Sequence, residues 1–157
     1  FIHQNQHHVG LVSADGRQIS VLQLSAAERS LGALPLIERL VPGQPLPQVS
    51  ATVEVAQVKL IAPIPKPRRN IFCVGKNYHA HAKEFASSGF DSSAKAGGDI
   101  PSVPIIFSKV PESVVGPFDT VLIPAGVSDT IDYEVELAVI IGQGGKGIRK
   151  ADAMKHV

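Results

Sequence analysis

Asp132-Tyr-Glu-Val-Glu-Leu137, running on into Ala138-Val-Ile-Ile141, is the stretch on which the fold of this 157-residue chain turns. In a β-strand, residues two apart share a face, so Asp132, Glu134 and Glu136 are expected on one side. Tyr133, Val135 and Leu137 are then expected on the other, against a core. The unbroken apolar run that follows predicts a strand buried on both faces at its far end. Carboxylates crowded on one face repel each other, and burial makes this worse. A hard cation offsets both costs, and Mg²⁺, Mn²⁺ or Ca²⁺ prefer carboxylate oxygens. The competing reading is an exposed edge strand whose acidic face is simply solvated. Two carboxylates do not close a metal site, so a further ligand has to come from elsewhere.

Upstream, Gly75-Lys-Asn-Tyr-His-Ala-His-Ala-Lys-Glu-Phe85 reads as a strand end, a glycine turn and a helix start. His81 and Glu84 are three apart on that helix and therefore neighbours on its surface. A carboxylate beside an imidazole fixes its tautomer and raises its basicity, as taking a proton from water requires. An ordinary surface His–Glu pair has the same spacing. His79 lies on another side of the helix and reads as solvated. His3, His7, His8 and His156 show no ligand-like spacing, and Cys73, between Phe72 and Val74, reads as strand packing. Gly142-Gln-Gly-Gly-Lys-Gly147 lacks the spacing and the Ser or Thr of a phosphate loop.

The remaining elements place these motifs. Leu11–Val12 and Ile19–Leu22 flank Asp15–Gly16, which suits a type I′ hairpin turn. Ser25-Ala-Ala-Glu28 is a capping box opening a short helix, which Pro35 should interrupt before Leu36, Ile37 and Leu40 continue an apolar stripe. Pro42 to Pro47 reads as a loop, and Val53 to Ile61 as a further strand. Pro63, Pro65 and Pro67 form a stiff linker. Beyond it come a buried strand over Ile71–Val74, a helix over Asn77–Ala86 and a long Ser- and Gly-rich loop from Ser87 to Ser102. Short strands are expected at Ile105–Phe107, Ser113–Val115, Val121–Ile123 and Ile131–Ile141, and a helical start at Lys150. The chain thus reads as a small α+β domain over residues 1–62 and a β-rich domain over 63–157 that looks unfinished.

Composition narrows the class. The net charge of +1 comes from scattered Lys and Arg, without the basic stripe that nucleic acid or an anionic membrane surface requires. No apolar run approaches the ~18 residues of a membrane span. One cysteine excludes an internal disulfide, which fits a reducing, cytoplasmic setting.

Taken together and in order, Ile71-Phe-Cys-Val-Gly-Lys-Asn-Tyr78, His81-x-x-Glu84, Pro104-Ile-Ile-Phe-Ser-Lys109, Ser113-Val-Val-Gly-Pro117, Asp132 to Leu137 and Gly147 to Ala153 resemble the fumarylacetoacetate hydrolase family. The resemblance covers residues 60 to 157, and residues 1–62 resemble the variable domain that precedes it in many bacterial members. It implies a mixed β-roll catalytic domain, a homodimer, and Mg²⁺, Mn²⁺ or Ca²⁺ held by two glutamates and a later aspartate. The glutamates match Glu134 and Glu136; the aspartate has no counterpart in this chain. The proton-handling dyad matches His81 and Glu84, and Lys76 and Lys109 stand as anion contacts. The implied reaction is metal-dependent cleavage of a C–C bond in a small oxo-acid of the acylpyruvate or fumarylpyruvate type. His81 would activate water and the metal would stabilise an enolate. Decarboxylation, isomerisation, dehydration and ureidoglycolate cleavage are open alternatives on the same fold. So is a piece that serves only folding or dimerisation. Ser87 to Ser102 is expected to act as a lid.

Overall fold

The computed structural model describes residues 1–40, 43–87, 100–128 and 131–157. It is an α+β fold of small antiparallel sheets and short helices, divided into two units: Phe1–Pro65 with Val115–Val157, and Lys66–Val114.

In the first unit, β1 (Ile2–His3) and β2 (Gln6–His7) form a hairpin. Its two loop residues, Gln4 and Asn5, both have positive φ, 49° and 60°. That is the type I′ requirement, met here rather than at the expected Asp15–Gly16. Between β3 (Gly10–Val12) and β4 (Gln18–Leu22) the connection is longer, and only Gly16 has positive φ. The Asp15 carboxylate accepts from the Ser13 hydroxyl at 2.6 Å and from the Arg17 amide at 3.1 Å. This side-chain bonding replaces a left-handed Asp15 as the means of closing the turn.

β4 is the middle strand of a three-stranded antiparallel sheet, between β3 and β5 (Val49–Glu54). A bulge at Val21/Leu22 leaves Ser50 without an opposite partner, and its hydroxyl donates to the Val21 carbonyl at 3.2 Å. The strand expected over Val53–Ile61 therefore starts four residues earlier and stops at Glu54. Val55–Gln57 is a 3₁₀ turn, after which Lys59 bridges to Ile2. Leu22 packs with Val9, Leu36 and Leu24 as the core.

The Ser25–Glu28 capping box is present at the start of α1 (Ala26–Ser30). The break before α2 (Leu34–Leu40) falls at Gly32, with φ +66°, and not at Pro35. Pro35 is buried in the first turn of α2, where a missing amide costs nothing. A Cβ on Gly32 would stand 2.3 Å from the Pro63 carbonyl oxygen.

In residues 115–157, Asp119 accepts from the Gly116 amide at 2.9 Å and pairs with Lys59 at 2.9 Å. Lys150–His156 is a 3₁₀ helix that returns to Gly142, whose amide donates to the His156 carbonyl at 2.8 Å. The strands expected at Ser113–Val115, Val121–Ile123 and Ile131–Ile141 are not formed. Tyr133, Val135 and Leu137 are 90%, 93% and 79% exposed, so the expected burial of that face is not found. A strand needs a neighbour for its backbone groups and a cover for its apolar face. No strand pairing is formed along this run among the described residues, and its apolar side chains stay exposed.

The second unit is an antiparallel ribbon of β6 (Ile71–Gly75) and β7 (Ile105–Lys109), with α3 (His79–Ser87) after β6. β6 is largely exposed, contrary to the expected burial, because among the described residues only one strand pairs with it. Of the Ser87–Ser102 loop, residues 88–99 lie outside the described residues, and the lid expectation with them.

Two outcomes follow. Gly32→Ala should lower stability by roughly 1–3 kcal/mol from the left-handed conformation alone, read by urea denaturation. The Ser25 hydroxyl holds the Glu28 carboxyl below the usual carboxylate range, and Arg39 adds to the effect. A depressed pKa contributes stability above the usual range, lost as pH falls through the folded-state value. Ser25→Ala should therefore flatten the acid limb of a stability–pH curve.

Candidate functional site

β6 carries the chain to Gly75, and Lys76 then turns it into α3 with a left-handed φ of 54°. A non-glycine residue held there marks a position fixed by its surroundings. The Lys76 ammonium lies over the Phe85 ring, 4.9 Å from its centroid. The ring of His81, one helical turn before Phe85, is tilted against that same ring at 6.2 Å. Phe85 thus gathers a fixed cation and an imidazole around one aromatic surface. His81 is half-buried, Lys76 likewise, and Glu84 is exposed on the same helix. Sequence reasoning passed over Phe85. The available signal was its position four residues after His81, with an aromatic face suited to a cation.

Lys109 stands elsewhere. It pairs in register with Ile71, whereas Gly75, from which Lys76 emerges, pairs with Ile105. The two lysines leave opposite ends of the ribbon, roughly 13 Å apart along the strand at ~3.3 Å per residue. The backbone therefore groups Lys76 with His81, and sets Lys109 apart.

Glu134 and Glu136 lie in the exposed, irregular segment of the first unit, with Asp132, whose carboxylate accepts from the Tyr133 amide at 2.9 Å. These are hard oxygen donors, the type a divalent cation takes. No group of three His, Cys, Asp or Glu side chains placed to hold a metal occurs among the described residues. Glu134 and Glu136 fit such an ion by donor chemistry, and completing the set needs a further donor.

Residues 70–157 match the family described as fumarylacetoacetate (FAA) hydrolase C-terminal. The chain belongs to the fumarylacetoacetate hydrolase family. Members commonly use a divalent metal. Oxaloacetate tautomerase YisK of Bacillus subtilis (strain 168) is 47% identical over 103 residues, covering 66% of this chain and 31% of the relative. The mitochondrial oxaloacetate tautomerase FAHD2A of Homo sapiens is 39% identical over 135 residues, 85% of this chain and 34% of the relative. Its Bos taurus counterpart is 35% identical over 158 aligned residues, 96% and 45%. The chain thus spans less than half the length of these curated relatives. No helix among the described residues is long and apolar enough to cross a membrane.

Phe85→Leu removes the ring shared by Lys76 and His81. The His81 ring-proton resonances should move on substitution as the ring-current contribution disappears, while far-ultraviolet circular dichroism stays unchanged. Unmoved resonances would show that the two rings do not meet in solution.

Proposed function

We propose that the protein interconverts the keto and enol forms of oxaloacetate or a closely similar oxo-dicarboxylate. The grouping of Lys76 and His81 around Phe85 carries this reading: it offers one anion contact beside one group able to carry a proton. Keto–enol exchange removes a proton from the carbon between the carbonyl and the distal carboxylate and delivers one to the carbonyl oxygen. His81, with Glu84 three residues on to orient it, is the candidate proton carrier. Lys76 is the contact for a substrate carboxylate, and Lys109 a second one only for an anion at the far end of the ribbon. Glu134 and Glu136 are the residues that would hold Mg²⁺, Mn²⁺ or Ca²⁺. Such an ion, when bound, supplies Lewis-acid stabilisation of developing negative charge on oxygen.

The names of the relatives favour this isomerase reading over hydrolytic C–C cleavage. Cleavage needs the same proton carrier to activate water, so the dyad alone suits either reaction.

The test follows the ultraviolet absorbance of enol oxaloacetate with Mg²⁺ or Mn²⁺ present, and analyses products in parallel. Enol decay should exceed the buffer rate with oxaloacetate conserved. His81→Ala should lower kcat by roughly 10²–10⁴-fold with metal affinity little changed, whereas Glu136→Gln should weaken metal binding. Inert oxaloacetate alongside cleavage of an acylpyruvate would reverse the assignment in favour of the hydrolase.

A further inference from the structure

The first unit contains a cavity of about 420 Å³ between the sheet, α1 and the N-terminal hairpin, whose lining includes none of Lys76, His81, Glu84, Lys109, Glu134 and Glu136. Its walls are of two kinds. Leu24 and Val53 are among the apolar ones, while Arg29, His3 and His8 bring nitrogen-bearing side chains. The volume falls within the range of small-molecule sites.

Arg29 is the unusual member. Its Nε is buried and has no hydrogen-bond partner. None of the ion pairs among the described residues includes it. Its neighbour in sequence, Glu28, is taken by Ser25 and by Arg39, and Glu54 accepts from the Gln18 amide nitrogen at 3.0 Å. A buried guanidinium donor left unpaired is costly, since its desolvation is not repaid. The nearby imidazoles do not repay it. His8 stacks on the Phe1 ring at 5.5 Å, with His3 tilted against it at 6.3 Å. Burial, with the charge of Arg29 adding to it, lowers the pKa of His8 from its ordinary value. The cavity therefore presents the Arg29 guanidinium with an unused donor, the imidazoles of His3 and His8 and apolar walls, while the Phe1 ammonium, also in the lining, is engaged by the His8 carbonyl at 3.0 Å.

We propose that this cavity binds a small carboxylate with a short apolar body, its carboxylate on the Arg29 guanidinium and its hydrocarbon part against Leu24 and Val53. The planar guanidinium matches a carboxylate in two parallel hydrogen bonds. The apolar walls favour an anion with a hydrocarbon body over a strongly hydrated dianion such as phosphate, which finds there nothing to replace its water. The site is independent of the proposed tautomerase chemistry.

The probes are sodium butyrate, butyramide and inorganic phosphate, each titrated into the full chain and followed by amide chemical shifts. Butyrate should bind saturably in the millimolar range, as a ligand of few heavy atoms allows, shifting resonances around Arg29 and Ser50. Arg29→Gln should weaken it at least tenfold. Ser50→Asp, which adds a competing carboxylate to the wall, should weaken it too, and serves if the first variant does not fold. His81→Ala should leave it unchanged. The proposal is overturned by absence of saturable butyrate binding, or by butyramide binding as well as butyrate. Phosphate binding as tightly as butyrate would also overturn it. So would butyrate binding that persists in both cavity variants or is lost in His81→Ala, which would place it at the other unit.

Discussion

The strand Gln18–Leu22 has a hydrogen-bonding neighbour on each side, Gly10–Val12 and Val49–Glu54, and the rest of the first unit depends on that double pairing. A strand paired on both flanks exposes no unmet backbone group, so Ile19, Val21 and Leu22 can be buried without polar cost. Leu22 then meets Val9 and Leu36, which fixes α2 against the sheet. The bulge at Ser50 belongs to the same arrangement. It turns the strand locally, and both Ser50 and the buried Leu22 line the cavity beneath Arg29.

The same requirement explains where structure stops. Ile131–Ile141 is richer in β-forming residues than β4, yet it remains irregular and exposed, with no strand ladder formed along it among the described residues. β6 and β7 are intermediate. Each has one partner, so the ribbon forms while Phe72, Ile106 and Phe107 stay exposed. Apolar sequence supplies a tendency toward strand, and pairing decides whether it is realised.

That distinction also sets what could be read in advance. Features enclosed within a few residues were legible: the Ser25–Glu28 capping box, the helix bearing His81 and Glu84, the strands at Ile71 and Ile105. Features set by distant contact were not. Gly32 breaks the helix because its φ is left-handed and Pro63 passes close by, which no local pattern around Pro35 discloses. The hairpin at Gln4–Asn5 was hidden because only Asn5 carries a turn signal. Phe85 as a shared surface needed the turn at Lys76 to be known. The separation of Lys76 from Lys109 needed the register of β6 on β7. The order of motifs identified the family, since order survives when the contacts between motifs are unknown.

The chemistry has a parallel limit. Tautomerisation, decarboxylation and hydrolytic cleavage of small oxo-acids share one demand, negative charge held on an oxygen next to a carbon that gains or loses a substituent. A residue set that stabilises this charge and moves one proton serves all three. What separates them is whether water reaches the far carbonyl, and whether the distal carboxylate lies in the plane of the enolate or across it. Across the plane, the breaking C–C bond overlaps the carbonyl π-system and carbon dioxide leaves. In the plane, that bond is held and only the proton is exchanged. A lysine that fixes the distal carboxylate therefore selects the reaction as well as the substrate. Under the proposed function Lys76, with its left-handed backbone and its ammonium over the face of Phe85, is the candidate for that role.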